Sequence, residues 1–138
     1  MGITARIDGI KAIQDKLNEL SKESQQGLAN EINNSALNIQ RNAKRNVVVD
    51  NGFLRGSIAL EPISELTYTV EAKAKYAPYV EFGTGGLVDI PAGYEQYAAI
   101  FKGKGIRKVN LRARPFLIPA FENEIPQLMK RLKEMFNA

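Results

Sequence analysis

The sequence from residue 23 to residue 46 reads ESQQGLANEINNSALNIQRNAKRN, and its apolar residues recur at spacings of three and four. Residues with this spacing lie on one narrow stripe of an α-helix, with polar residues on the rest of its surface. Such a helix packs on one side and faces solvent or a partner on the other. Ser21 and Ser24 are candidate residues to open it, because a serine side chain satisfies the first backbone N–H groups. The stripe consists of Leu28, Ile32, Ala36, Ile39 and Ala43.

Short runs of alternating apolar and polar residues predict β-strands before and after this helix. One run occupies residues 3–7. Two more, around residues 57–61 and 67–73, are separated by a connection that contains Pro62 and predict an antiparallel hairpin. A fourth run at residues 108–114 predicts a strand that is basic on its exposed face.

Helical spacing recurs twice more, over residues 9–21 and in the last 20 residues of the sequence, where Pro126 is expected to kink or restart the helix. We therefore predict an α+β fold, with a long helix packed on a small antiparallel sheet of about three to four strands and a C-terminal helix. A length of 138 residues suits one core, so residues 1–138 are expected to form a single domain.

The segment at about residues 84–110 fits neither pattern. Glycines interrupt it, and a short helix over residues 92–102 would carry Tyr94, Tyr97 and Phe101 at helical spacing. A helix-spaced set of aromatic residues is more often a packing face than a platform for single-stranded bases. We predict a long loop excursion, and connections of this length are typically functional.

The composition excludes much of the chemistry that enzymes use. The sequence contains no cysteine and no histidine, which removes thiolate nucleophiles, the commonest general acid and the commonest transition-metal ligand. The glycines at residues 83–86 lack the Gly-Lys-Ser/Thr ending of a phosphate-binding loop. No run of about 18 apolar residues is present, so no membrane association is expected. We predict no catalytic residue, no cofactor and no metal.

The formal net charge of +4 is concentrated in residues 101–114, which contain six basic residues and no acid. Three interpretations remain open for this segment: a solvated face, contact with DNA phosphates, or contact with an acidic protein rim. The residues predicted to contact a partner or DNA are Lys102, Lys104, Arg107, Lys108 and Arg112.

Two short segments rich in aromatic residues and proline flank the excursion, and they have the composition of a rigid contact surface. We predict that they brace one another and fix its two ends. Glu81 is expected to pair with Arg114, because a guanidinium binds a carboxylate in a bidentate manner. The predicted brace consists of Tyr76, Pro78, Tyr79, Glu81, Phe82, Gly83, Arg114, Pro115 and Phe116.

Three signatures resemble a family of minor structural proteins of tailed bacteriophages, known as tail-completion, neck or head–tail joining proteins. They are Asp50–Ser57, Tyr76–Thr84 and Arg114–Phe121, in the order that the family has them. Asn51 stands where the family often has threonine, and the excursion is particular to this sequence, so its role does not carry over.

The resemblance implies a non-enzymatic head–tail joining subunit in the virion, present in the host cytoplasm during assembly. It also implies a homo-oligomeric ring of six or twelve copies that connects the capsid portal complex to the tail and continues the DNA channel. Other connector and tail proteins would be its partners, with non-specific contact to channel DNA. The alternative is a small nucleic-acid-binding module that uses the basic segment at residues 102–114.

Overall fold

The computed structural model describes residues 3–7, 21–47, 52–97 and 111–137. The elements in chain order are β1 (Ile3–Ile7), α1 (Lys22–Asn46), α2 (Gly52–Gly56), β2 (Ile58–Ser64), β3 (Thr67–Ala72), α3 (Ala77–Phe82), a 3₁₀ turn (Gly85–Leu87) and α4 (Leu117–Asn137). The helix predicted over residues 9–21 lies almost wholly outside the described residues.

Helix α1 begins where the sequence predicted. Ser21 is its N-cap, and its side-chain oxygen accepts a hydrogen bond from the Ser24 N–H at 3.3 Å. All five residues of the predicted apolar stripe are fully buried. Glu23 lies in the first turn and Arg45 in the last, where each charge opposes the nearer end of the helix dipole.

The three strands form one antiparallel sheet in the order β1-β3-β2. The hairpin of β2 and β3 is confirmed, but β2 continues through Pro62, which had been expected in the connection. Since β2 is an edge strand, the missing N–H of a proline breaks no ladder bond there. A bulge lies between Pro62 and Ser64 and leaves Ile63 without an opposite residue.

The fourth predicted strand does not form in its described part, residues 111–114. The backbone groups of this segment are bonded to α3 and to Thr84, two residues after the end of α3. The Arg114 N–H donates to the Val80 carbonyl at 2.8 Å, and the Leu111 carbonyl accepts from the Thr84 N–H at 2.9 Å. These bonds replace the ladder that a strand would make.

Helix α1 packs against both the sheet and α4, and α4 also contacts β1. The predicted helix-on-sheet α+β arrangement is therefore confirmed. Within the described residues the sheet has three strands, at the lower end of the three to four that we expected. Helix α4 continues through Pro126 as one helix rather than restarting. The largest fully buried side chains of the core are Phe82, Phe116, Leu28, Ile32, Ile39, Leu54, Ile58, Leu117 and Val70.

The short helix α2 was not predicted, and it closes the C-terminal end of α1. The Arg55 guanidinium donates to the Lys44 carbonyl at 3.1 Å and to the Val47 carbonyl at 3.3 Å. These carbonyls belong to the end of a helix, where no further turn supplies a donor. Arg55 thereby holds α2 in place, and Leu54 beside it is fully buried.

Candidate functional site

Helix α3 carries the first of the two aromatic and proline-rich segments. Pro78 is in the first turn, where its missing N–H would have no helical partner in any case. Positions one turn apart, Ala77 with Glu81 and Pro78 with Phe82, are all buried. The six-residue helix therefore turns a single face, including a carboxylate, into the core.

Gly83 ends α3 in a conformation that favours glycine. Its φ is 81°, and its N–H donates to the Tyr79 carbonyl at 2.9 Å. A Cβ atom at this position would lie 2.7 Å from the carbonyl oxygens of Leu111 and Leu87, and 2.9 Å from the Ala113 nitrogen. Because all three atoms belong to the backbone, no side chain can move aside. Only glycine allows the two segments to cross so closely.

The Glu81 carboxylate lies at the N-terminus of α4, although it belongs to α3. It accepts hydrogen bonds from the N–H groups of Phe116 at 3.1 Å, Leu117 at 2.8 Å and Ile118 at 3.4 Å. The first N–H groups of a helix have no intrahelical acceptor and carry partial positive charge, so a carboxylate stabilises them. Glu81 thus caps α4 from a distance of 35 residues along the chain.

Burial dominates the electrostatics of this cap. Only 1% of the Glu81 surface is exposed, and removal from water raises the pKa of the carboxyl from 4.5 to about 6, although the three backbone hydrogen bonds oppose the shift. At neutral pH the group is predominantly ionised. It therefore places a negative charge inside the core, held by backbone donors.

The predicted ion pair between Glu81 and Arg114 is wrong. The ion pairs of the described residues do not include one between these two side chains, and Arg114 is exposed. What joins the two segments at this point is backbone, through the bond from the Arg114 N–H to Val80. The physical reason is that the start of α4 offers three donors whose positions are fixed, so the carboxylate needs no flexible cation.

The two ends of the excursion meet directly beside this cap. Thr84 and Leu111 are bonded twice, through the bond from the Thr84 N–H to the Leu111 carbonyl and through one from the Leu111 N–H to Thr84 Oγ1 at 2.8 Å. Inside the excursion, the Asp89 N–H donates to the Phe82 carbonyl at 2.8 Å. We call this closed region, formed by residues 80–84 and 111–118, the base of the excursion.

Aromatic side chains line the inner side of the excursion. The ring centroids of Phe82 and Tyr97 are 5.4 Å apart, and those of Tyr94 and Tyr97 are 6.4 Å apart. Both tyrosines pack against the core, as the packing interpretation expected. Burial raises the pKa of Tyr94, and the nearby negative charge of Glu122 adds to the effect. Residues 95–97 form one 3₁₀ turn, and Phe101 lies outside the described residues.

The remaining predicted brace residues have differing positions. Phe116 is fully buried and Tyr79 is half-buried, whereas Pro115 is exposed. Tyr76 stacks on Phe53, with ring centroids 6.2 Å apart. The structure thus brings Glu81, Gly83 and Phe116 together, and Tyr76 belongs to another surface.

The predicted partner-contact residues fall mostly outside the part of the chain that the structure describes. This applies to Lys102, Lys104, Arg107 and Lys108. Arg112 is described, and it is an exposed residue of the base of the excursion. The role of these residues stays a prediction.

A second buried carboxylate was missed by the sequence analysis. Glu124 of α4 accepts from Asn38 Nδ2 at 3.0 Å and from Ser35 Oγ at 3.3 Å on α1. It also contacts Arg131 at 3.4 Å, and Arg131 pairs with Glu31 at 2.7 Å. The only indication of this network in the sequence was that Glu124 and Arg131 are seven residues apart, which places them on the same face of one helix. This network fixes how α1 and α4 are aligned.

Neither buried carboxylate belongs to a metal-binding group. The described ranges contain no group of three or more Asp, Glu, His or Cys side chains that could hold a metal ion. The helices of those same ranges include none that is long and apolar enough to cross a membrane.

The described elements form a helix-on-sheet α+β domain with a backbone-capped base. A family model described as "Bacteriophage HK97-gp10, putative tail-component" matches residues 11–83, more than half of the chain. The chain belongs to this family, and it is accordingly a structural tail component of a bacteriophage virion. Searches of curated proteins and of solved structures found no match to the chain.

Proposed function

We propose that the protein forms a ring at the junction of head and tail, as a tail-completion or neck subunit, and that this ring connects the portal complex to the tail and continues the DNA channel. Family membership supports a tail component. The order of the three signatures, Asp50–Ser57, Tyr76–Thr84 and Arg114–Phe121, supports the more specific position at the junction.

The observation that carries the proposal is that the second and third signatures meet in the fold. They close the base of the excursion through Gly83, the Glu81 cap and the paired backbone of Thr84 and Leu111. A ring subunit must present contact surfaces in fixed relative positions, because small angular errors prevent a heterologous interface from closing. We propose that the predicted brace acts in this way, by fixing both ends of the excursion on a rigid body.

The positive charge of the excursion suits it to bind a negatively charged partner. With its ends fixed, the basic residues Lys102 to Arg112 contact either an acidic rim on a neighbouring tail or connector protein or the phosphates of channel DNA. In both cases the contact is electrostatic and independent of DNA sequence. The excursion lies outside residues 11–83, the part of the chain that the family model matches.

A joining assay tests the proposal. Filled heads and tails are prepared from a phage that lacks this protein, and the purified protein is added. We expect it to restore joined, infectious particles, as counted by electron microscopy and by plaque formation. Heads and tails that join equally well without the protein would refute a role at the junction.

The alternative function is tested by DNA binding. A free nucleic-acid-binding module binds duplex DNA as a monomer or dimer, with affinity that falls steeply as salt increases. A junction subunit binds free duplex only weakly, because it surrounds DNA as an assembled ring. Tight, salt-dependent binding by the monomer, together with no activity in the joining assay, would favour the alternative.

A further inference from the structure

Two apolar surfaces at opposite ends of the β2–β3 hairpin carry opposite charges. The first is the hairpin tip, residues 61–65, where Ile63 is 57% exposed. The bulge between Pro62 and Ser64 takes Ile63 out of the strand register, and bulges of this kind redirect a side chain away from the sheet. Ile63 is thus an apolar side chain held outward by the backbone.

The charges of the hairpin tip are acidic. Glu61 and Glu65 stand on either side of Ile63, and both are exposed. Glu61 is paired with Lys73 of its own hairpin at 2.8 Å. Glu65 makes no ion pair with any described residue, so its carboxylate is available to a partner.

The second surface is the Phe53 platform, which consists of Phe53, Lys75 and Tyr76. Phe53 is 74% exposed, and its ring lies stacked on Tyr76. Its helix is held rigidly, because Leu54 is buried and Arg55 is bonded to the end of α1. A large aromatic side chain fixed in an exposed position has the character of an interface anchor, which loses little entropy when it binds.

The charge of the platform is basic. Lys75 is exposed beside Tyr76 and makes no ion pair within the described residues. The hairpin tip is apolar with an acidic flank, and the Phe53 platform is aromatic with a basic flank. The two surfaces are therefore complementary in apolar character and in charge.

One copy of the chain cannot bring these surfaces together. The platform adjoins the open end of the hairpin, where Ile58 pairs with Ala72, and the tip is at the closed end. Ile58 and Ser64 are six residue steps apart along β2, which amounts to about 20 Å. Complementary patches at the two ends of a subunit make a heterologous contact, and a heterologous contact closes into a ring when its rotation permits.

We propose that the hairpin tip of one copy docks on the Phe53 platform of the next copy, with Ile63 against the Phe53 and Tyr76 rings and Glu65 facing Lys75. The occupant of each surface is therefore a second copy of this chain. This inference rests on the proposed ring and names the surfaces that close it. Both surfaces lie within the family-matched residues 11–83, whereas the basic excursion does not. Contact runs through side chains, because Pro62 lacks the N–H that strand addition at β2 would use.

Native mass spectrometry and sedimentation test the pairing. The wild type is expected to form a closed ring, and Phe53→Ser or Ile63→Ser is expected to weaken self-association about 30-fold each, the effect of losing an interface anchor. Met129→Ser is the control, because Met129 is a 43% exposed apolar residue on α4, away from both surfaces. Circular dichroism should show all three variants folded.

A mixing experiment distinguishes the arrangement from other interfaces. Phe53→Ser keeps an intact tip and Ile63→Ser keeps an intact platform, so an equimolar mixture should form pairs that contain one chain of each and do not grow. Lys75→Glu and Glu65→Lys should each weaken the ring, and the double variant should restore it, because every interface then contains the exchanged pair.

The outcomes separate the two proposals. A wild type that forms rings while Phe53→Ser and Ile63→Ser form them equally well overturns this pairing and leaves the ring intact. Weakened variants that give no mixed pair, or an equal loss in Met129→Ser, also overturn it. A wild type that stays monomeric at all concentrations removes the proposed ring itself, and the pairing with it.

Discussion

The base of the excursion and the β2–β3 hairpin are both built from short segments of chain, but they expose their interactions in opposite ways. At the base, a buried carboxylate, a glycine crossing and paired backbone groups all point inward. At the hairpin, the bulge turns Ile63 outward, and the exposed Glu65 in the turn after β2 makes no ion pair with any described residue. The first region stabilises the fold and the second offers contact, so stability and assembly should respond to different substitutions.

The largest loss of stability is expected at Gly83. Gly83→Ala forces a side chain into a backbone conformation with φ of 81° and places its Cβ 2.7 Å from two carbonyl oxygens. Strain and backbone displacement together should lower the free energy of unfolding by at least about 4 kcal/mol, measured by urea denaturation.

Gly56→Ala provides the matched control for that comparison. No atom lies within 4 Å of the Cβ that this substitution adds, so the free energy of unfolding should change by no more than about 0.5 kcal/mol. Equal effects of the two substitutions would show that the close crossing at Gly83 does not hold the base together.

The next largest loss is expected at Glu81. Glu81→Ala removes the acceptor of three buried N–H groups at the start of α4 and should cost about 2–4 kcal/mol at pH 7. Glu81→Gln keeps one acceptor oxygen and should lose less. Urea denaturation of both variants and of the wild type measures the series, and an alanine variant as stable as the wild type would contradict the capping role.

The pH dependence follows from the raised pKa of Glu81. Its pKa of about 6 in the folded state exceeds the ordinary 4.5, so the folded protein holds a proton that the unfolded chain releases. The stabilisation from this group is complete below pH 4.5 and is lost as pH rises through 6. The shift corresponds to about 2 kcal/mol.

Comparison with Glu81→Gln isolates that contribution, because glutamine does not titrate. The free energy of unfolding of the wild type, minus that of the variant, should increase as pH falls from 7 to 4.5. A difference that is constant over this interval, or that moves the other way, would mean that burial does not control the carboxyl group.

A smaller loss is expected at Thr84. Thr84→Val keeps the shape of the side chain but removes the oxygen that accepts from the Leu111 N–H, which should cost about 1 kcal/mol. Hydrogen exchange of the Leu111 amide should accelerate in the variant. Unchanged exchange at this amide would show that the hydroxyl does not close the base.

The smallest effect on stability is expected at the hairpin tip. Ile63→Ser replaces a largely exposed residue, so the free energy of unfolding should stay within about 0.5 kcal/mol of the wild type. Thermal unfolding of the isolated variant at low concentration measures this. A loss as large as that of Glu81→Ala would remove the distinction between the two regions.

The sequence was most informative where periodicity determines structure. The α1 stripe, its opening at Ser21 and the β2–β3 hairpin follow directly from spacing and capping chemistry. Pro62 was misplaced, because a proline within a strand is tolerated only at a sheet edge, and strand order is not visible in sequence.

The candidate site was predicted only in outline. The two segments at its base were found, and Glu81 was recognised as their central ionisable group. Its partners were not, because backbone N–H groups are present at every non-proline residue and leave no pattern. The same limit explains the missed role of Arg55, whose acceptors are carbonyls, and of Glu124, whose partners come from a helix about 90 residues away.

Gold labelling of the virion tests the central claim, a ring at the head–tail junction, most directly. The 138 residues contain no cysteine, so Glu23→Cys, an exposed position at the start of α1, introduces a single reactive site. Virions assembled with this variant and labelled with thiol-reactive gold are imaged by electron microscopy. We predict label confined to the junction of head and tail, with several particles arranged around the tail axis. Label distributed along the tail or at its distal end would contradict the account.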